Sequence, residues 1–275
     1  MAAQLTRIFS DLHYGDRASR VSQLRQLRPL LDGVDELVLN GDTLDTRAGP
    51  APEHTAACRA EVREFFPRAV SRLHLLTGNH DPDFTANHSL DLAGGEVFAI
   101  HGDILLDSIV PWGRDAALVR RLIAAELATL PTTAREDLDS RLAVWRRVAA
   151  SVPQRHQSER HRLKYALRFL ADTVWPPLRG LEIIKVWRAE PARAAALVRR
   201  HRPRAKFVLL GHTHRPAITR TPEGIVVINT GSFCPPFGGF AVDLTPHQLI
   251  VRRIESRGGE FRAGAVLAEF ALAGA

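Results

Sequence analysis

Aspartate, asparagine and histidine recur in this chain in short clusters, each placed just after a β-rich run. Asp11-x-His13 comes first, then Gly41-Asp42 with Asp45 three residues on. Gly78-Asn79-His80-Asp81, His101-Gly102-Asp103 and Gly211-His212-x-His214 complete the set. Each piece alone is common loop text; jointly and in this order they read as a metal site. Carboxylate, imidazole and amide oxygen suit borderline divalent ions such as Mn²⁺, Fe²⁺ or Zn²⁺. The ligand-type residues outnumber what one ion needs, so the pattern predicts two ions about 3.5–4 Å apart sharing one carboxylate. Cys58 and Cys234 read as packed thiols. Two cysteines make neither a disulfide framework nor a four-thiolate zinc site.

The elements that must hold these residues follow from the apolar pattern. Strands are predicted over 5–10, 36–40, 72–77 and 96–100, with helices over 17–31 and 53–66, the second stopped by Pro67. From about 111 to 202 the texture is helical. Val119, Leu122, Ile123, Leu127 and Leu130 form one periodic set; Leu138, Leu142, Trp145 and Val148 form another. Leu163, Ala166, Leu167, Leu170 and Val174 form a third, ended by Pro176-Pro177. Strands resume over 207–210, 225–229, 240–244 and 249–254. The chain therefore reads as an α/β core, 1–110 and 203–260, interrupted by a helical insert, 111–202, and followed by a frayed tail, 261–275. In open α/β sheets ligands gather at the carboxyl ends of strands, which is where all five clusters fall.

Composition removes several classes. The chain has 275 residues, 45% hydrophobic and 24% charged, ordinary values for a globular protein. No apolar run approaches the roughly 18 residues that span a bilayer. The start lacks the pattern of a signal peptide, so the expected address is cytoplasmic. None of the three lysines, Lys164, Lys185 and Lys206, sits in a phosphate-binding G-x-x-x-x-G-K-[ST] loop. A G-x-S-x-G nucleophile elbow is also missing. The net charge is +7, yet residues 111–200 alone hold 18 basic and nine acidic residues, leaving the rest slightly acidic. An anionic partner is therefore expected, if anywhere, at the insert.

Taken together, the five clusters resemble the motif blocks of the calcineurin-like metallophosphoesterase superfamily, with no ligand position substituted. The resemblance implies two packed mixed β-sheets flanked by helices and a dinuclear centre, with Mn²⁺ favoured and Fe or Zn as alternatives. Carried over by motif, one metal takes Asp11, His13, Asp42 and His214. The other takes Asp42, Asn79, His101 and His212, so that Asp42 bridges. The chemistry implied is hydrolysis of a phosphodiester or pyrophosphate bond, with the two cations lowering the pKa of a shared water. His80 then stabilises or protonates the leaving group, and Asp45 orients His80. A metal-dependent nuclease or phosphomonoesterase, using the basic insert to bind polyanions, and a non-catalytic scaffold are the competing classes within the same fold.

Two texts point to a branch. His101-Gly-Asp-Ile-Leu-Leu-Asp107, and Gly211-His-Thr-His-Arg-Pro216 followed by Asn229-Thr-Gly-Ser232, are similar to the UDP-2,3-diacylglucosamine pyrophosphatase group. Those enzymes act in lipid A precursor synthesis and insert helices between the fourth and fifth blocks as a lid. Here that place is filled by 111–202. The chain departs from the group at His80, where an arginine is usual, and in its shorter spacing from Asn79 to His101. As a lid, the insert would use arginines such as Arg114, Arg120, Arg121, Arg146 and Arg147 to bind a diphosphate. Arg114 is the candidate phosphate contact. A lipid-linked or small phosphorylated substrate is the first partner expected, with peripheral contact to a membrane face. Nucleic acid is the second, and a merely solvated helical face is the alternative to both. Trp145, Trp175 and Trp187 read as packing residues.

Overall fold

The computed structural model describes residues 4–154 and 178–273. Two sheets stack face to face. The larger has the order β11-β10-β9-β1-β2-β3 and the smaller β4-β5-β6-β8-β7. In the larger, β1 (Thr6–Phe9), β2 (Glu36–Asn40) and β3 (Arg72–Leu76) run parallel. β9 (Phe240–Leu244), β10 (Gln248–Arg257) and β11 (Glu260–Ala271) join antiparallel. In the smaller, β5 (Val97–Ile100), β6 (Phe207–Leu210) and β8 (Val226–Asn229) are parallel. β4 (Ser89–Leu92) and β7 (Ala217–Arg220) close its edges antiparallel.

Side chains alternate across each strand, and the alternation builds three apolar layers. Ile8, Val38 and Val242 of the large sheet meet Ala99, Leu209 and Ile228 of the small one between the sheets. Phe9, Leu37 and Leu39 face outward onto α1 (Arg28–Leu31) and α2 (Pro52–Ala69), through Leu30, Val62 and Phe66. Phe98, Val208 and Leu210 face outward from the small sheet onto the insert. There α3 (Ala116–Thr129), α5 (Leu138–Ser151) and α6 (Leu178–His201) supply Val119, Ile123, Leu142, Trp145, Val148 and Val198. A short α4 (Thr132–Glu136) links α3 to α5. Part of the insert is thus the outer layer of the sandwich, and Trp145 is a buried packing residue whose Nε1–H donates to the Leu106 carbonyl at 3.1 Å.

The structure corrects several expectations. Residues 17–31 hold only a 3₁₀ turn (Leu24–Leu27) and the single turn of α1. Polar side chains there bond to backbone instead: Asp16 Oδ1 accepts from Ala18 N, and Ser19 Oγ donates to the Leu12 carbonyl. α2 continues past Pro67 to Ala69, because a proline this close to the end, on the exposed side, removes little. The segment from 261 is no tail. It is β11, paired along β10 through a Gly258-Gly259 turn whose φ values, 62° and 81°, are those a tight hairpin needs. The third helical set of the insert, and Trp175, lie outside the described residues.

Candidate metal centre

The carboxyl ends of β1, β2, β3, β5 and β6 lie at one end of the sandwich, and loops there are laced together by backbone bonds. Asp11 N donates to the Gly41 carbonyl and His13 N to the Asp42 carbonyl. Gly211 N donates to the His101 carbonyl. Asn40, the last residue of β2, crosses between the sheets: its Nδ2 donates to the carbonyls of Ile100 (3.0 Å) and Leu209 (3.2 Å). Five candidate ligands, Asp11, His13, Asp42, His212 and His214, have φ between 47° and 64°. Left-handed backbone at a non-glycine residue costs about 1 kcal/mol or more and persists where surrounding structure enforces it. Five such residues in one place mark a site held in an imposed geometry. Glycine is needed beside them: a Cβ on Gly78 would fall on Asp42 Oδ1, and one on Gly211 on Asp11 Oδ2.

The side chains converge in two groups that share Asp42. In the first, His13 Nε2 and His214 Nε2 face each other at 3.0 Å. His214 Nε2 is 3.1 Å from Asp11 Oδ1, and His13 Nε2 is 3.8 Å from both Asp11 Oδ1 and Asp42 Oδ2. In the second, ligand atoms of Asp42, His101 and His212 all lie within 4.8 Å of one another. Here the ring nitrogens are sorted by their outer bonds. His101 Nδ1–H donates to the Asn40 carbonyl (3.0 Å), leaving Nε2 3.3 Å from Asp42 Oδ2. His212 Nε2–H donates to the Ile109 carbonyl (2.9 Å), leaving Nδ1 as its ligand atom. Fixing a tautomer through the far nitrogen is how metal-binding imidazoles are prepared.

These residues fit a pair of divalent cations. His101 Nε2 and Asn79 Oδ1 are fully buried yet have no hydrogen-bond partner, which is costly unless a cation takes their lone pairs. The electrostatics say the same. Burial opposes ionisation of Asp11 and Asp42, but His101 and the neighbouring histidines outweigh it and hold both carboxyls well below the usual range. Against the same burial, Asp11 and Asp42 push His13 up to about 9, and Asp42 pushes His101 well above its ordinary value. His212 is driven down to about 3 by burial and by His101. The carboxylates demand positive charge, and without metal the imidazoles supply it as protons.

Around this centre stand the groups that hold it. His80 is joined to it through its backbone, whose N–H donates to Asp42 Oδ1 (2.7 Å), and its ring lies 4.8 Å from that of His13. Its Nδ1 is 2.9 Å from Asp45 Oδ2, so the Asp45–His80 pair expected from sequence is formed. Sequence reasoning missed Arg47. The guanidinium grips Asp45 through two bonds (3.0 and 2.7 Å) and brings a nitrogen within 2.8 Å of His80 Nδ1. Burial and then Arg47 lower the His80 pKa, outweighing Asp42 and Asp45, so His80 is neutral at neutral pH. His80 and Arg47 together hold Asp45 well below the usual carboxylate range despite its burial.

Two further buried acids, to which the sequence motifs assign no role, brace the centre. Asp81 is wholly buried, and accepts from the backbone N–H groups of Asp42 (3.1 Å), Thr43 (2.7 Å) and Gly78 (2.6 Å). It ties the loop after β2 to the loop after β3. Glu190 reaches in from α6; its Oε1 accepts from Thr213 Oγ1 (2.9 Å) and Asn229 Nδ2 (3.0 Å). It thus fastens the insert to the His212-Thr213-His214 loop. Burial pushes both acids up, Asp81 with the help of the Asp42 charge, each to about 7.

The arginines of the insert divide. Arg120 pairs with Asp107, Arg147 with Glu126, and Arg146 bonds His88 Nε2. Arg114 is exposed on the turn before α3, two residues from Trp112, whose ring centre is 6.1 Å from that of His212. Trp187 stands at the rim on α6: its Nε1–H donates to the Thr213 carbonyl (3.3 Å), and Arg215 lies over its ring.

A two-sheet α/β sandwich with a centre of this composition at its strand ends defines a metal-dependent phosphoric ester hydrolase. The sequence model of the calcineurin-like phosphoesterase family matches residues 6–216, and the chain belongs to that family. Solved structures to which the chain is similar include a dimetal phosphatase from Danio rerio, 12% identical over 98% of each chain with a TM-score of 0.47. Vacuolar protein sorting 29 from Cryptosporidium parvum is 14% identical over 98% of this chain and 99% of its own, with a TM-score of 0.43. A predicted phosphoesterase from Streptococcus pneumoniae is 16% identical over 99% of both chains, with a TM-score of 0.40. No curated protein matches the chain. Among the described residues no helix is long and apolar enough to cross a membrane.

Proposed function

We propose that the chain hydrolyses a phosphodiester or pyrophosphate bond of a UDP-diacylglucosamine-like substrate, with Asp11, His13, Asp42 and His214 holding one cation and Asp42, Asn79, His101 and His212 the other. The observation that carries the chemistry is the shared Asp42 between two ligand groups, with His101 Nε2 and Asn79 Oδ1 buried and unpartnered. Two bound divalent cations, Mn²⁺ favoured, would supply an activated water and neutralise charge on the phosphoryl oxygens. The protein's own part is positional. Arg47, itself held by Asp45, donates an N–H to His80 Nδ1 and fixes the ring, which leaves the Nε2–H to meet the leaving-group oxygen. Asp81 and Asn40 fix the loops that carry the ligands.

The lipid-linked substrate is supported by the rim. Leu181 and Ile184, three residues apart on α6, are exposed, as is Phe237, which packs edge-on against Trp187 at 5.6 Å. Arg215, over the Trp187 ring, borders this apolar surface and would meet a phosphate there, the combination an acylated sugar nucleotide asks for; Arg114, exposed on the turn before α3, is the other proposed phosphate contact. Paired with acids, Arg120 and Arg147 offer less to a nucleic-acid backbone. The test is incubation of Mn²⁺-loaded protein with UDP-2,3-diacylglucosamine in detergent, with Asp42→Asn as the blank. Release of UMP by the wild type alone supports the reading. Cleavage of an aryl phosphodiester without UMP keeps the metal chemistry and removes the lipid substrate.

A further inference from the structure

Composition alone reads Cys234 as a packed thiol, but its surroundings are not those of an inert core residue. The loop after β8 is stitched to the Asp11 turn. Phe233 N donates to the Asp11 carbonyl (3.1 Å), as does Ser232 Oγ (3.3 Å), and Cys234 N donates to Ser232 Oγ (2.8 Å). Gly238 and Arg20 hold the same loop, through Ser232 N to the Gly238 carbonyl and Arg20 N to the Phe233 carbonyl. The sulfur of Cys234 consequently lies within 4.8 Å of a ring nitrogen of both His13 and His214. Those rings already aim their Nε2 atoms at one point, 3.0 Å apart, beside Asp11 Oδ1. Cys234 and His13 are 6% and 4% exposed, so the sulfur is shielded from solvent on the face it shares with the histidines. The same centre holds the buried, unpartnered His101 Nε2 and Asn79 Oδ1, which point independently to cations.

We infer that Cys234 is a further ligand of the cation held by Asp11, His13, Asp42 and His214, through its sulfur. The inference rests on the dinuclear reading above. On binding, a metal–sulfur bond forms and the thiol proton leaves to solvent; no electron is transferred. One ion then has an oxygen, nitrogen and sulfur shell, and the other oxygen and nitrogen only. Thiolate suits Zn²⁺ and Fe²⁺ better than Mn²⁺, so this is the position at which those ions compete best with Mn²⁺.

The test is optical and needs no substrate. The full chain is loaded with Co²⁺, and its absorption is recorded for wild type, Cys58→Ser, Cys234→Ser and Cys234→Ala. Cys58 and Cys234 are the only thiols in the chain. The expected result is a sulfur-to-cobalt charge-transfer band in the near ultraviolet for wild type and Cys58→Ser. It is lost in both Cys234 variants, which keep the visible ligand-field bands. Visible bands without the ultraviolet band in wild type overturn the cysteine assignment and leave the dinuclear reading standing; so does a band that survives Cys234→Ser. No cobalt bands at all overturn both. If the Cys234 variants fail to fold, wild type and Cys58→Ser alone decide the matter.

Discussion

Removing the Asp81 carboxyl should damage the centre without touching a ligand. Asp81 Oδ1 accepts from Asp42 N and Gly78 N, and Oδ2 from Thr43 N. Asp81→Ala strands three buried donors, each worth about 1–3 kcal/mol. A water can enter the space left by the carboxyl, which places the loss near the low end, about 3–5 kcal/mol. Asp81→Asn keeps an oxygen for two of the donors and turns an NH₂ toward the third, a loss of about 1–3 kcal/mol. The pH dependence separates charge from hydrogen bonding. In the metal-free protein Asp81 is raised from 3.8 to about 7, so the folded state holds a proton the unfolded chain has released. Its contribution therefore favours the fold at low pH and declines as pH rises from about 4 through about 7. Asn has no such slope, so Asp81→Asn should cost more at pH 5 than at pH 8. Urea unfolding of the metal-free variants at the two pH values reads this directly, and bound Mn²⁺ after dialysis reads the effect on the ligands. An Asp81→Ala protein within about 1 kcal/mol of wild type, with undiminished metal, would refute the argument.

Three other outcomes are expected. His80→Ala should lower kcat by about 10²–10⁴ for a phosphodiester with an alkoxide leaving group and far less for a nitrophenolate one, with little change in KM; an equal loss across leaving groups would place its role elsewhere. Glu190→Leu should weaken Mn²⁺ binding by about 10–100-fold, measured by calorimetry, while Glu190→Gln, which retains an oxygen for Thr213 and Asn229, stays near wild type; equal losses would remove the hydrogen-bond argument. In the metal-free protein the imidazolium of His13, raised to about 9, stabilises the fold below its ordinary 6.5 and loses that effect as pH rises through about 9. Metal must displace that proton, so Mn²⁺ affinity should climb between pH 7 and 9 and proton uptake by a weak buffer should accompany binding. A pH-independent affinity would contradict this.

The core strands were legible because they are buried on both faces. Residues 36–40, 207–210 and 240–244 are short, mostly apolar runs buried along their whole length, and the strands have those bounds. Edge strands β4 and β7 escaped because their residues are half exposed and carry no run to see. β11 was overlooked although Gly258-Gly259 is a hairpin signal, because the small residues around it read as a fraying end. In residues 17–31 the leucine spacing was real and those leucines are buried, but local polar bonds to the backbone won over the helix.

By itself the sequence determined which residue types end the strands, and hence the chemistry. Asp11, His13, Asp42, Asn79, His101, His212 and His214 are set by local text, since a residue following a central parallel strand has only one end of the sheet to occupy. Only the tertiary structure decided what those residues are bonded to. The Asn40 carbonyl that fixes His101 lies 61 residues away, the Asp45 carboxylate 35 residues from His80, and Glu190 39 residues from Asn229. The sulfur of Cys234 reaches His13 from the far end of the chain. Such contacts have no period or spacing in the sequence. They exist because two sheets and an insert pack in one register, and that packing sets the tautomers and charges of the candidate ligands.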